Sequence, residues 1–67
     1  MIRNRRNAGI TAKEVRVLDE NEKHVGVMKI EEALKLAMER GLDLIEITEN
    51  ANPPVARIIS FDKFRYL

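Results

Sequence analysis

The sequence predicts an α+β domain in which one amphipathic helix packs on a small mixed four-stranded sheet, in the order β-β-α-β-β. Two observations predict this class. Apolar side chains in the segment 30–40 recur at helical spacing, and four other segments show the period of two that is typical of half-buried strands. With 67 residues and no cysteine, the chain suffices for one small domain and has neither disulfides nor thiolate metal ligands.

The helix is predicted to begin at Ile30 and to stop at Gly41. One broad arc of its surface is apolar and is expected to face the sheet; it contains Ile30, Ala33, Leu34, Leu36, Ala37 and Met38. Gly41 can adopt the left-handed conformation that ends a helix, and Leu42 can then fold back on the last turn. Lys29 offers no side-chain acceptor for the first backbone amides, so we expect the N-terminus to lack a cap.

Four segments are predicted to be strands, two before the helix and two after it. Residues 13–18 and 25–28 are separated by the polar turn 19–23 and are expected to form a hairpin. The helix then crosses over to a strand at 43–48, which we expect to run parallel to a strand before the helix and to make the sheet mixed. The last strand, at 55–59, follows a loop that contains two prolines.

The period of two assigns the strand side chains to the two faces of the sheet. The residues expected beneath the helix are Val15, Val17, Val25, Val27, Ile45, Ile47, Ala56 and Ile58. The residues expected on the opposite face are Arg16, Leu44, Glu46, Arg57 and Ile59. Because the chain offers no second helix for that face, we expect it to be open, either as a solvated face with cross-strand ion pairs or as a contact surface.

Positive charge is concentrated at the two ends of the chain, although the net charge is only +1. Residues 1–16 carry a net charge of +4 and residues 55–67 carry +2, whereas residues 17–54 carry −5. Residues 1–9 show no periodicity and are predicted to be a flexible basic arm. This distribution fits a polyanionic partner, and it fits solubilising ends equally well.

The last eight residues interleave aromatic side chains with basic ones: Phe61, Phe64 and Tyr66 with Lys63 and Arg65. Aromatic rings can stack on bases and cations can neutralise phosphates, which is the chemistry of RNA contact. Phe61 and Phe64 also have helical spacing, and we expect these two to anchor the segment on the domain. Tyr66 is expected to be exposed.

No combination of residues in the sequence indicates an active site. His24 is the only histidine, and no base is spaced to activate Thr11 or Ser60. We therefore expect a binding module rather than an enzyme, with no cofactor and no metal. No apolar run approaches the roughly 20 residues of a membrane span, so we expect a soluble, intracellular protein.

The order of short motifs along the chain is more specific than any one of them. The motifs are N-A-G-I-T-A-K-E-V-R-V at 7–17, D-E-N at 19–21, V-G-V at 25–27, E-A-L at 32–34, G-L-D-L-I-E-I at 41–47, N-A-N-P-P-V-A-R-I at 50–58 and K-F at 63–64. In this order and spacing they resemble the N-terminal domain of bacterial translation initiation factor three. The resemblance implies a globular domain at 10–59 after the arm at 1–9, with residues 60–67 as the start of a linker helix to a second domain that this chain lacks.

The resemblance also implies a non-enzymatic role. Members of this family bind the small ribosomal subunit, through ribosomal RNA and proteins, in the vicinity of the initiator tRNA. They help to select that tRNA and the start codon while the two subunits are kept apart. We expect a monomer, in the bacterial cytoplasm or in an organelle.

Six residues are candidates for contact with RNA. Arg16, Arg57, Lys63 and Tyr66 match ribosome-facing positions of the family, and the basic arm adds Arg5 and Arg6. The sequence departs from the family at Glu22 and Asp62, where glycine is usual, and at Phe61, where tyrosine is usual. The alternative is a protein-interaction module that binds a peptide through an exposed sheet edge or the open face. Salt distinguishes the two, because RNA contact by several cations weakens steeply as salt rises.

Overall fold

A computed structural model of the protein describes residues 4–48 and 50–66. A short 3-10 turn at Asn7–Gly9 precedes two strands, β1 (Glu14–Leu18) and β2 (His24–Lys29). The helix α1 (Ile30–Glu39) follows, and then β3 (Asp43–Thr48), β4 (Val55–Ile59) and a one-turn helix α2 (Phe61–Phe64). The predicted class, one helix on a mixed four-stranded sheet, is confirmed.

The strands lie in the spatial order β2-β1-β4-β3. β1 and β2 form the predicted antiparallel hairpin, β4 pairs parallel to β1, and β3 pairs antiparallel to β4. β3 therefore runs in the same direction as β2, as predicted, but the two lie at opposite edges of the sheet. The parallel neighbours are β1 and β4, and α1 connects the two edge strands.

Two small residues, Ala33 and Ala37, bring α1 close to the sheet, and both side chains are fully buried. Three larger apolar residues of the predicted arc are partly buried beside them: Ile30, Leu34 and Leu36. Met38 was also predicted to be buried, but it is 78% exposed. It follows Ala37 by one residue and so points about 100° away from the centre of the arc.

The C-terminus of α1 is closed by the predicted glycine stop. Gly41 has φ +66°, in the left-handed region, and its amide donates a hydrogen bond to the Met38 carbonyl at 3.0 Å. The Leu42 amide donates to the Ala37 carbonyl, also at 3.0 Å. These two bonds are the Schellman motif, which satisfies carbonyls that the helix leaves free.

The N-terminus of α1 has no side-chain cap among the described residues, as expected because Lys29 has no side-chain acceptor. The amide of Ile30 instead donates to the Lys13 carbonyl at 2.9 Å. The segment before β1 thereby takes over part of the capping role.

The core beneath α1 confirms four of the eight predicted strand residues. Its buried members are Ile10, Val15, Val17, Ala33, Ala37, Leu44, Ala56 and Ile58. Val15 and Val17 of β1 and Ala56 and Ile58 of β4 were predicted on this face. The sequence did not predict Ile10, which comes from the segment before β1.

β3 presents Leu44 to the helix, and the prediction that Ile45 and Ile47 lie there was wrong. Leu44 lies opposite Ile58, which belongs to the core, and paired residues point to the same face. Glu46 consequently also lies on the helix side, not on the open face. Apolar side chains occur at both phases of D-L-I-E-I-T, so alternation alone does not fix the phase of this strand.

β2 presents Met28 to the core, and the prediction for Val25 and Val27 was wrong as well. Val27 lies opposite Arg16 on the other face, and the two valines are 42% and 47% exposed. The register of β1 and β2 shifts at a β-bulge beside Gly26, which has φ +144°. An extra residue in a strand reverses the phase of the side chains around it.

The face opposite α1 is not uniformly open. Ile45 is fully buried and Ile59 is 2% exposed, so the end formed by β3 and β4 is covered. Arg16 and Val27 are exposed at the β1–β2 end. The open surface is therefore smaller than the sequence predicted.

Candidate nucleic-acid interface

The two basic ends of the chain meet on the ring of Phe61. The guanidinium carbon of Arg6 lies 3.7 Å from the centroid of this ring, and that of Arg65 lies 5.7 Å from the same centroid. Arg65 also lies 5.3 Å from the centroid of Tyr66. Cations within about 6 Å of an aromatic ring are attracted to its face. We name this cluster of Arg6, Phe61, Arg65 and Tyr66 the arm–turn patch.

Hydrogen bonds to the outer edge of β3 bring the arm to this position. Arg6 forms an antiparallel bridge with Ile45, and the Glu46 amide donates to the Arg5 carbonyl at 2.8 Å. The side-chain amide of Asn4 donates to the Glu46 carbonyl, also at 2.8 Å. Residues 4–6 thus extend the sheet by one short bridge. The flexibility expected for residues 1–9 stays a prediction.

Asn7 connects the arm to the start of β3 through both ends of its side-chain amide. Its Nδ2 donates to Asp43 Oδ1 at 3.0 Å, and its Oδ1 accepts from the Leu44 amide at 2.9 Å. Its backbone has φ +48°, a left-handed conformation that asparagine tolerates better than most residues. Its carbonyl accepts from the Ile10 amide at 3.0 Å, which closes the 3-10 turn.

The C-terminal turn, residues 60–66, begins with a capped helix end. Ser60 Oγ accepts from the Lys63 amide at 3.1 Å, the usual N-cap bond. The Phe61 amide donates to Asp43 Oδ2 at 2.9 Å. Phe61 and Phe64 are partly buried, as predicted, whereas Tyr66 is 81% exposed.

The carboxylate of Asp43 therefore accepts one hydrogen bond from the arm and one from the C-terminal turn. The bond from Asn7 is the main cause that lowers the pKa of Asp43, and the bond from the Phe61 amide and the charge of Arg6 act in the same direction. Partial burial of the carboxylate opposes them. Asp43 is thus held ionised at the base of a basic cluster.

The guanidinium of Arg57, one of the six candidates, binds residues of the β1–β2 turn. Its side chain is only 12% exposed, and one guanidinium nitrogen lies 3.2 Å from the Glu22 carboxylate. A second nitrogen donates to the Glu20 carbonyl at 3.0 Å. The third, Nε, is buried without a hydrogen-bond partner among the described residues. This geometry leaves little of the guanidinium for an external phosphate.

Arg16 lies on the same face of the sheet and has a different environment. It is exposed, and its Nη1 lies 3.0 Å from Nε2 of His24, which is itself exposed. His24 is thus a hydrogen-bonded surface group. Arg16 is available to solvent, whereas Arg57 is not.

The chain matches, over residues 6–67, the family model described as "Translation initiation factor IF-3, N-terminal domain". The chain belongs to this family. It is 53% identical over 60 residues to the translation initiation factor IF-3 of Aquifex aeolicus, covering 90% of this chain and 34% of that protein. It is 54% identical over 61 residues to the factor of the same name from Thermotoga maritima, covering 91% and 36%. The chain thus spans about a third of the length of these curated relatives.

Glu22 lies in the hairpin turn, at the position where the sequence resemblance implies glycine. Its φ is +64°, in the region that glycine adopts without steric cost. The same residue forms the ion pair with Arg57. Glu22 therefore combines a left-handed backbone with an ion pair to β4.

Two of the residues that organise the site were not predicted. Asn7 and Asp43 join the arm, β3 and the C-terminal turn, although neither is among the residues predicted from the sequence to form the site. Asp43 had one recognisable signal, since a carboxylate at the start of a largely apolar strand is unusual unless it has partners. Asn7 begins N-A-G, which is typical of a left-handed turn residue. Lys63 and Arg5, which were predicted, are both exposed.

Both edges of the sheet carry features that oppose the addition of a further strand. β2 is an edge strand, and its ladder is interrupted by the bulge beside Gly26. β3 is the other edge strand, and the arm already pairs with it at Ile45. Bulges and covering segments are the usual protection of sheet edges.

Within residues 4–48 and 50–66, no helix is long and apolar enough to cross a membrane. The same residues contain no cluster of three or more histidine or acidic side chains arranged to hold a metal ion.

Proposed function

We propose that this chain binds the small ribosomal subunit during translation initiation, near the initiator tRNA. In this role it helps to select the initiator tRNA and the start codon while the large subunit is kept away. Membership in the initiation factor family supports a role in translation initiation, and the relatives bear the name translation initiation factor. The observation that carries the RNA contact is the convergence of two basic segments on Phe61.

The chemistry of the arm–turn patch suits single-stranded or irregular RNA. Arg6 supplies one cation for phosphates and Lys63 of α2 supplies another. Arg65 is partly exposed, but its guanidinium also lies 3.0 Å from the Asp62 carboxylate. The exposed ring of Tyr66 offers a stacking surface for a base. Arg16 forms a second basic position at the exposed end of the open face. Arg57 contributes indirectly, because it holds the turn beside that face.

The test is a titration of purified small ribosomal subunits with labelled protein at several salt concentrations. We compare the wild type with the double variant Arg6→Ala, Arg65→Ala. The control is Lys35→Ala, which removes one exposed cation from α1. The double variant is expected to bind several-fold more weakly. Each phosphate contact that is lost reduces the slope of log affinity against log salt by about 0.7–0.9.

The outcome that contradicts this proposal is a double variant with the same affinity and the same salt slope as the control. Binding that does not change with salt would instead favour the alternative, a peptide held by the sheet. The exposed valines of β2, Val25 and Val27, are the observation in favour of that alternative. The bulge in β2 opposes it, because the bulge interrupts the edge to which a peptide strand would pair.

A further inference from the structure

We propose that Asp43 is the positioning residue that joins the arm and the C-terminal turn into one surface, so that ordering one orders the other. The ligand of that surface rests on the proposed function above. The coupling itself is a property of the free chain, and it is tested without any ligand.

The geometry that carries the proposal is a carboxylate with both oxygens occupied. Oδ1 accepts from the side chain of Asn7 at 3.0 Å, and Oδ2 accepts from the backbone of Phe61 at 2.9 Å. Asn7 and Phe61 are 54 residues apart in sequence, and each belongs to a short element that has no large core of its own. The carboxylate of Asp43 gives the two elements a common anchor.

A third contact closes a ring of interactions around Asp43. Arg6 precedes Asn7 in the arm and stacks on the ring of Phe61, 3.7 Å from its centroid. The arm therefore holds the C-terminal turn twice, once through the carboxylate and once directly. Displacing either element costs contacts of the other, which is the condition for coupling between them.

The charge of Asp43 argues for positioning rather than ligand contact. A carboxylate close to Arg6 repels a polyanion and does not itself bind phosphate. Asp43 must then contribute through the two hydrogen bonds that it accepts. Hydrogen bonds to ionised groups are stronger than neutral ones, so a carboxylate serves this purpose better than an amide.

The first test measures amide hydrogen exchange in the free chain by NMR. Asn7→Gly removes the side chain that bonds to Asp43 while tolerating the left-handed backbone. We expect the Phe61 amide to exchange about tenfold faster, after correction for the change in global stability. The control is Asp19→Asn, which changes a different carboxylate that also accepts two hydrogen bonds. Their donors are the backbone amides of Asn21 and Lys23, in the distant β1–β2 turn.

The reciprocal test starts from the other element. Phe61→Leu keeps the backbone amide that bonds to Asp43 but removes the ring beneath Arg6. The Leu44 amide, whose acceptor is Asn7, is then expected to exchange several-fold faster, because coupling between two sites acts equally in both directions. Unchanged Phe61 exchange in Asn7→Gly, together with unchanged Leu44 exchange in Phe61→Leu, overturns the proposal.

The binding test uses Asp43→Asn and small ribosomal subunits. A positioning role predicts several-fold weaker binding with an unchanged salt slope, because no phosphate contact is lost. Equal or tighter binding would mean that Asp43 only repels the ligand, and it overturns the positioning role. If the wild-type chain shows no salt-dependent binding, the proposed function fails while the exchange measurements still decide the coupling.

Discussion

Arg16 and Arg57 show how two similar residues on one face of a sheet acquire different roles. The sequence places both on the face opposite the helix, and the structure agrees. Their surroundings differ because Arg57 is beside the β1–β2 turn, where a carboxylate and a carbonyl bind its guanidinium. No pattern within the strand indicates this, since the turn residues are more than 30 positions away in sequence.

We therefore predict different stabilities for the two alanine variants. Arg57→Ala removes a largely buried guanidinium and leaves the Glu20 carbonyl without its donor, so it is expected to lower the free energy of unfolding by about 1.5–3 kcal/mol. Arg16→Ala changes an exposed residue and is expected to cost about 0.5 kcal/mol or less. Urea denaturation of both variants measures this. Equal midpoints would show that the contacts of Arg57 do not stabilise the turn.

A second prediction at the residue scale concerns acid. The pKa of Asp43 is lowered in the folded state, first by the hydrogen bond from Asn7 and then by the Phe61 amide, with Arg6 as the neighbouring charge. The ionised form is thus favoured by folding. Its contribution is present above the unfolded value, about 3.9, and is lost as the pH falls through the lower folded value.

The expected result is a free energy of unfolding that decreases as the pH falls below about 4. Asp43→Asn is expected to be less stable at pH 7 and to show a smaller decrease on acidification. Asp19 adds to the wild-type decrease, because the Lys23 amide lowers the pKa of that carboxyl as well. Urea midpoints between pH 7 and pH 2.5 test this, and parallel curves for the wild type and Asp43→Asn would contradict it.

Among the elements, the position of α1, which local chemistry sets, was predicted correctly, whereas the side-chain phases of β2 and β3, which strand pairing sets, were not. α1 has one apolar arc and a glycine stop, so its position followed from the sequence alone. β2 and β3 each carry apolar residues at both phases, and their orientation is fixed by the neighbouring strand and by bulges. The same limit applies to the candidate site, because the contact between Arg6 and Phe61 depends on how the arm pairs with β3.

The glycine stop of α1 yields a prediction with a matched control. A Cβ at Gly41 would meet no atom within 4 Å, so only its φ of +66° resists substitution. Gly41→Val is expected to lower the free energy of unfolding by more than about 1 kcal/mol, since a left-handed backbone costs most residues 1–2 kcal/mol. Gly9 also has open space around it but no positive φ. Gly9→Val is expected to change stability less, and equal midpoints would show that Gly41 does not act as the helix stop.

At the scale of the whole molecule, folding changes the meaning of the charge distribution. Two basic segments at opposite ends of the chain come together at Phe61, whereas most acidic residues belong to the segment 17–54, which contributes Asp43 to this cluster. The net charge of +1 therefore understates the local positive potential that a polyanion would meet. It also sets a limit on affinity, because the basic residues in the patch are few.

That limit leads to the last prediction, in which the chain is compared with a relative of full length. The matched region is about a third of the Thermotoga maritima factor, so the remaining two thirds are free to supply further contacts. We expect this chain to bind small ribosomal subunits more weakly than that factor and with a shallower salt slope, since both quantities grow with the number of phosphate contacts. Parallel titrations of the two proteins between 50 and roughly 200 mM salt measure the difference. Equal affinity would mean that the arm–turn patch and Arg16 already provide the main contacts with the subunit.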